Sequence, residues 1–159
     1  MVGDISKAFL MVNLNNEDKK YFKFLWIEND EIVAYHFNKL PFGTSSSPFL
    51  LYVSLVKIFE ETPESSEKAQ EFINAFYVDD MLVSKSKPDE LIDFVEQCKA
   101  ILSKYGFNLT KLRNNIEPDT DECKVFALIW NIPNEELIVR SIQTITSQHI
   151  KRIQFFECL

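Results

Sequence analysis

Two aspartates stand side by side inside an apolar stretch, Phe76-Tyr77-Val78-Asp79-Asp80-Met81-Leu82-Val83. Flanks of that kind half-bury what they enclose, and two carboxylates held there repel one another. A hard divalent cation relieves the repulsion: Mg²⁺ takes one or two carboxylates, keeps several waters and completes its shell with substrate phosphates. Alone the doublet is weak, because Asp is common in turns. Asp4 adds weight. It follows a short apolar start and precedes Ile5-Ser6-Lys7-Ala8-Phe9. If Asp4 ends a strand beside the Asp79-Asp80 hairpin, three carboxylates meet at one sheet edge. Three acids without His or Cys are the oxygen-only ligand set of a two-metal site, with ions roughly 3.5–4 Å apart, suited to in-line displacement at a phosphate.

The surrounding elements must position those acids. Tyr21–Ile27 and Glu31–Phe37 read as two strands joined by a turn at Glu28-Asn29-Asp30. Leu40-Pro41-Phe42-Gly43 is a loop, and Ser45-Ser46-Ser47-Pro48 offers N-caps with a proline for the first helical turn. Leu51, Leu55, Ile58 and Phe59 then mark one face of a helix over 49–61. A polar run, Thr62 to Glu67, reads as a solvated linker. Glu71–Val78 reads as a strand that resumes at Met81–Ser84. A second helix opens at Ser86-Lys87-Pro88-Asp89, with the stripe Leu91, Val95, Cys98, Leu102, Tyr105 and Gly106 as terminator. Phe107–Lys111 and Cys123–Asn131 read as further short strands, and Glu136–Arg140 as another. Helices on one face of an antiparallel sheet, an α+β class, follow from this order.

Composition narrows the alternatives. The chain has 159 residues, 46% of them hydrophobic, and only 3 Gly, which suits one globular domain. No apolar run is long enough for a membrane helix, and charge arrives by the fourth residue, unlike a secretory leader. Cys98, Cys123 and Cys158 are odd in number and far apart, which fits a reducing, intracellular and cytoplasmic setting rather than a disulfide framework. His36 and His149 have no partner at metal or nucleophile spacing, and the absence of a Gly-rich phosphate loop speaks against kinase chemistry. The net charge of −7 argues, by itself, against a nucleic-acid partner.

Four ordered blocks change that. Asp4-Ile5-Ser6-Lys7-Ala8-Phe9, Leu40-Pro41-Phe42-Gly43, Ser47-Pro48-Phe49 and Tyr77-Val78-Asp79-Asp80 resemble the successive motifs of a reverse-transcriptase palm, the last being its YVDD motif. Phe24-Leu25-Trp26, Gly106-Phe107-Asn108-Leu109 and Leu128-Ile129-Trp130-Asn131 bring the resemblance nearest to Bel/Pao-type long-terminal-repeat retrotransposons. It implies a nucleotidyltransferase, an RNA-directed DNA polymerase, that extends a primer on an RNA or DNA template with deoxynucleoside triphosphates. It also implies two Mg²⁺ ions, with Mn²⁺ as a substitute, on Asp4, Asp79 and Asp80.

The resemblance assigns further roles. Phe9 matches a sugar-gate aromatic whose ring leaves no room for a 2′-hydroxyl; without the motif it would be one of 14 phenylalanines in a core. Phe42 and Gly43 match the loop against the incoming nucleotide and template, and Tyr77 and Val78 the pair beside the primer. Lys111 matches a lysine near the triphosphate, an exposed strand lysine being the alternative, and Trp130 matches the primer grip. Residues 1–140 would be palm with part of the fingers, and 141–159 the start of a thumb or connecting segment. The expected partners include the RNase H, integrase and protease regions of a polyprotein, and no membrane. On this reading the chain is a fragment that is inactive alone. A non-catalytic remnant of such a domain, and an unrelated acidic divalent-metal-binding domain, are the competing readings.

Overall fold

Strand β1 (Val2–Ser6) forms from the opening apolar run, and it continues two residues past Asp4 rather than ending there. The computed structural model describes residues 1–63, 66–116, 120–126 and 128–139; the expectations for 141–159, with His149 and Cys158, lie outside the described residues. A short helix α1 (Ala8–Met11) follows β1. Next come β2 (Lys23–Glu28) and β3 (Glu31–His36), joined by Asn29 and Asp30 at φ 51 and 64. Both turn residues are left-handed, the two-residue geometry that matches strand twist. This hairpin is its own two-stranded sheet, with Leu25, Trp26, Ile27 and Ile32 exposed. His36 faces solvent, its Nδ1 3.0 Å from the Lys19 carbonyl.

Helix α2 (Ser47–Glu61) carries Pro48 in its first turn and buries Leu51, Leu55, Ile58 and Phe59, the stripe read from their spacing. Its cap differs from expectation. Ser46 occupies the N-cap without a side-chain bond to the helix, while the Ser47 hydroxyl donates to the Pro41 carbonyl at 2.6 Å and tethers the preceding loop. Thr62 is not solvated either: it is buried, donating to the Ile58 carbonyl at 2.6 Å and lying 3.0 Å from the Tyr105 hydroxyl.

The strand expected over 71–78 is mostly helix. Helix α3 (Ala69–Asn74) buries Ala69, Phe72 and Ile73, the i, i+3, i+4 spacing of a helix, and the strand reading starts too late to include Ala69. Only β4 (Phe76–Tyr77) is extended before the turn into β5 (Asp80–Leu82). Helix α4 (Pro88–Lys104) buries Leu91, Val95, Cys98 and Leu102 as expected. Tyr105 caps it and is exposed, and Gly106 follows at φ 83. Burial pushes the Cys98 thiol up to about 12. In the native protein at pH 8 Cys98 is therefore expected to resist alkylation until unfolding, as peptide mapping after pulsed labelling would read. Modification at the rate of a free thiol would contradict its burial.

Strand β6 (Asn108–Arg113) completes a four-stranded antiparallel sheet in the order β4-β5-β1-β6. The 123–131 segment is two strands rather than one. β7 (Glu122–Val125) breaks at Phe126, whose φ is 48, and β8 (Leu128–Asn131) returns beside it, with β9 (Glu136–Ile138) third in that sheet. Ile5, Met81 and Leu109 belong to one buried cluster with α2, α3 and α4, so the helices cover a single face of the main sheet. Within that cluster Phe72 stacks between Phe59 (centroids 5.2 Å) and Phe94 (4.8 Å), and Phe76 extends the row 6.0 Å from Phe59. The architecture is α+β. No helix among the described residues is long and apolar enough to cross a membrane.

Candidate functional site

Alternation along β1 settles where Asp4 points. Ile5 is buried on the helix-covered face, so Asp4 projects from the opposite face. Its register partner on β5 is Asp80, and on β6 Thr110, whose hydroxyl donates to the Asp4 carbonyl at 3.2 Å. Asp79 occupies the β4–β5 turn, where Val78 takes φ 59 and the Ile5 N–H donates to the Asp79 carbonyl at 2.8 Å. The backbone thus sets Asp4 opposite Asp80 on the two interior strands, with Asp79 beside them in the turn. Their charges interact: burial, then Asp79, then Asp4 raise the Asp80 carboxyl above the usual carboxylate range, with Lys111 pulling the other way.

Lys111 meets the same group. Its Nζ lies 3.0 Å from Asp4 Oδ2, and that hydrogen bond and charge raise the Lys111 ammonium above its ordinary value. Lys111 is both an exposed strand lysine, with 73% of its side chain accessible, and a partner of the acid cluster.

The donor chemistry suits a hard divalent ion. Asp4 and Asp80, face to face on neighbouring strands, are the number of carboxylates that Mg²⁺ takes alongside waters and phosphates. A closed protein cage is a different matter. Among the described residues no three His, Cys, Asp or Glu groups converge to hold an ion by themselves. Two facing carboxylates leave the rest of an ion's shell to water and phosphate oxygens.

Beside the acids lies a cleft of about 380 Å³, and its lining includes Asp4, Asp80, Lys111, Arg113, Lys124 and Phe126. Two carboxylates and three cationic side chains in one lining can hold a phosphate-bearing chain through divalent ions and directly. The sequence reading missed Arg113, Lys124 and Phe126. For Arg113 there was a signal, since it sits two positions beyond Lys111 in a strand. For Phe126 the signal was its place in Phe126-Ala127-Leu128-Ile129-Trp130, the segment that resembles a primer-grip hairpin.

The remaining residues divide. Tyr77 is 68% exposed and meets Phe126 edge-on at 5.4 Å, which ties the acid-bearing hairpin to the β7–β8 turn. Phe9 is only 6% exposed, with the ring of Phe42 against it at 4.6 Å; Phe42 itself is 63% exposed and Gly43 follows at φ 85. Phe9, on α1, and Phe42, in the loop before α2, thus form an aromatic pair. Trp130 lies in the middle strand of the β7-β8-β9 sheet, opposite Cys123 and Leu137, and does not line the cleft. The family model for "Reverse transcriptase (RNA-dependent DNA polymerase)" matches residues 1–120.

Proposed function

The chain belongs to the reverse transcriptase (RNA-dependent DNA polymerase) family, and from that premise we propose that the paired β1 and β5 strands carry its nucleotidyl-transfer centre. The observation that carries this reading is the pairing of Asp4 with Asp80 across β1 and β5, with Asp79 in the adjoining turn. The family's use of a nucleic-acid template and deoxynucleoside triphosphates supplies the substrate class.

Asp4, Asp79 and Asp80 would hold divalent ions together with the triphosphate. When bound, such ions lower the pKa of the primer 3′-hydroxyl and offset charge at the transferring α-phosphate. The chain's own residues do the positioning. The β1–β5 ladder holds Asp4 and Asp80 in register, and the Ile5 N–H fixes the Asp79 backbone. Arg113 and Lys124, in the cleft lining, can take phosphates of the primer strand. Tyr77 braced by Phe126 would support the primer end, and Trp130 would act behind it in the primer-grip sheet.

Phe9 is proposed as the sugar gate. A ring packed against Phe42 does not yield easily, so a 2′-hydroxyl above it is refused by shape. Phe42 and Gly43 would then line the nucleotide and template side. In this reading the main sheet with α2, α3 and α4 is the palm, and the β2–β3 hairpin belongs to the fingers. A Bel/Pao-type retrotransposon setting is supported by Phe24-Leu25-Trp26 and Leu128-Ile129-Trp130-Asn131.

Primer extension on an RNA template tests the reading. Within a longer protein that carries this chain, deoxynucleotide incorporation that needs Mg²⁺ or Mn²⁺ is expected, while the chain alone should extend little or not at all; extension indifferent to divalent ions would sink the reading. Phe9→Val, which keeps an apolar core residue, should raise ribonucleotide incorporation relative to deoxynucleotide by about tenfold or more. An unchanged ratio would return Phe9 to a packing role.

A further inference from the structure

Strand β6 makes an unusual choice at Lys111. Between the pairs Asp4↔Thr110 and Val2↔Arg113, β1 advances two residues while β6 advances three. Lys111 and Leu112 together oppose Gly3, which is a β-bulge, and Lys111 takes φ 52, a left-handed conformation costly for a lysine. The bulge has a specific consequence. In an unbroken ladder Lys111 would face Gly3 and point into the helix-covered core, where an ammonium has no partner. With the extra residue Leu112 fills that place instead: a Cβ built on Gly3 would meet Leu112 Cδ2 at 2.9 Å. Lys111 is turned to the other face, onto Asp4 Oδ2. Strained backbone and ion pair are independent observations, and both serve one atom-to-atom contact.

We propose that Lys111 is a built-in counter-ion, whose ammonium holds Asp4 Oδ2 in the ion-free protein and is displaced when a divalent cation binds there. The inference rests on the metal-site reading above. Three acids crowded together destabilise one another without a cation nearby. A lysine suits temporary duty. It is a single-point donor on a flexible stem, and 73% of its side chain is exposed, so it can swing aside without repacking the core. An arginine would grip a carboxylate through two bonds and yield less readily. The same cation thus sets a threshold for metal loading, because the ion must outcompete it.

Binding of Mn²⁺ alone, followed through the electron paramagnetic resonance of the free ion, tests this. Lys111→Met should bind Mn²⁺ about two- to fivefold more tightly, the scale of losing one exposed ionic competitor. Lys111→Arg should bind no more tightly than the native protein. Unchanged or weaker binding in Lys111→Met, or equal tightening in Lys111→Arg, overturns the proposal. Should Lys111→Met fail to fold, Lys111→Gly takes its place, since glycine accepts φ 52 without strain. Asp4→Asn separates the two readings. Loss of Mn²⁺ binding in that variant together with no effect at Lys111 defeats only the counter-ion; unaltered binding in Asp4→Asn defeats the metal site itself.

Discussion

Asp4→Asn is expected to lower divalent-dependent primer extension by about 10³-fold or more while leaving the fold intact. Asparagine preserves shape and removes one negative charge. The strand around position 4 is held by backbone bonds to β5 and β6 that the change does not touch. Its chemical effects are larger. One of the two facing carboxylates disappears, Lys111 loses its partner, and Asp80 loses one of the charges that raise its pKa. The Asp80 carboxyl should therefore move down toward the ordinary range, readable by NMR titration of its side chain. Asp79→Asn is expected to cost a comparable factor. Groups that act as a unit are not additive, so the double variant should be little worse than either single one. Extension by Asp4→Asn at more than a tenth of the native rate, with melting unchanged, would remove Asp4 from the mechanism.

Phe72→Ala should destabilise the protein by about 3–5 kcal/mol, a drop of roughly 6–20 °C in melting temperature. Phe72 is fully buried, with the rings of Phe59 and Phe94 on either side of it. Truncation removes the only ring that α3 contributes to this row and leaves a cavity between α2 and α4. Stabilities of domains this size lie near 5–15 kcal/mol, so a large share of the margin would go. Because α3 leads directly into β4 and the Asp79 turn, loosening it should also blur the acid cluster. Phe72→Leu, which retains most of the volume, should lose about half as much or less. A melting temperature unchanged in Phe72→Ala would show that the aromatic row contributes little.

Much of the helical framework could be read directly. Leu51, Leu55, Ile58 and Phe59 declared their shared face by spacing, as did Leu91, Val95, Cys98 and Leu102, since a 3.6-residue period leaves little choice. The β2–β3 hairpin was equally plain, because Asn29-Asp30 tolerates the left-handed turn between two β-branched and aromatic runs. Short apolar runs were not. Glu71–Val78 reads as a strand by its apolar and aromatic content, yet Ala69, Phe72 and Ile73 share a helical face, which packs Phe72 between Phe59 and Phe94. Cys123–Asn131 looks continuous by composition, and only its resemblance to a primer-grip hairpin pointed to the reversal at Phe126.

Asp4, Asp79, Asp80 and Lys111 were legible as residue types in ordered motifs, and those motifs carried the family. Their chemistry is local: a carboxylate or an ammonium brings its charge wherever it goes. What the tertiary structure alone decided is which of them meet. Asp4 faces Asp80 because β1 lies between β5 and β6, a pairing set by contacts some 80 residues apart in the chain. Lys111 reaches Asp4 only because one extra residue in β6 exchanges the faces of Lys111 and Leu112. A strand's side chains alternate, so a one-residue slip against its neighbour moves a charge from core to cleft. That slip is a property of two paired strands, and neither strand carries it alone.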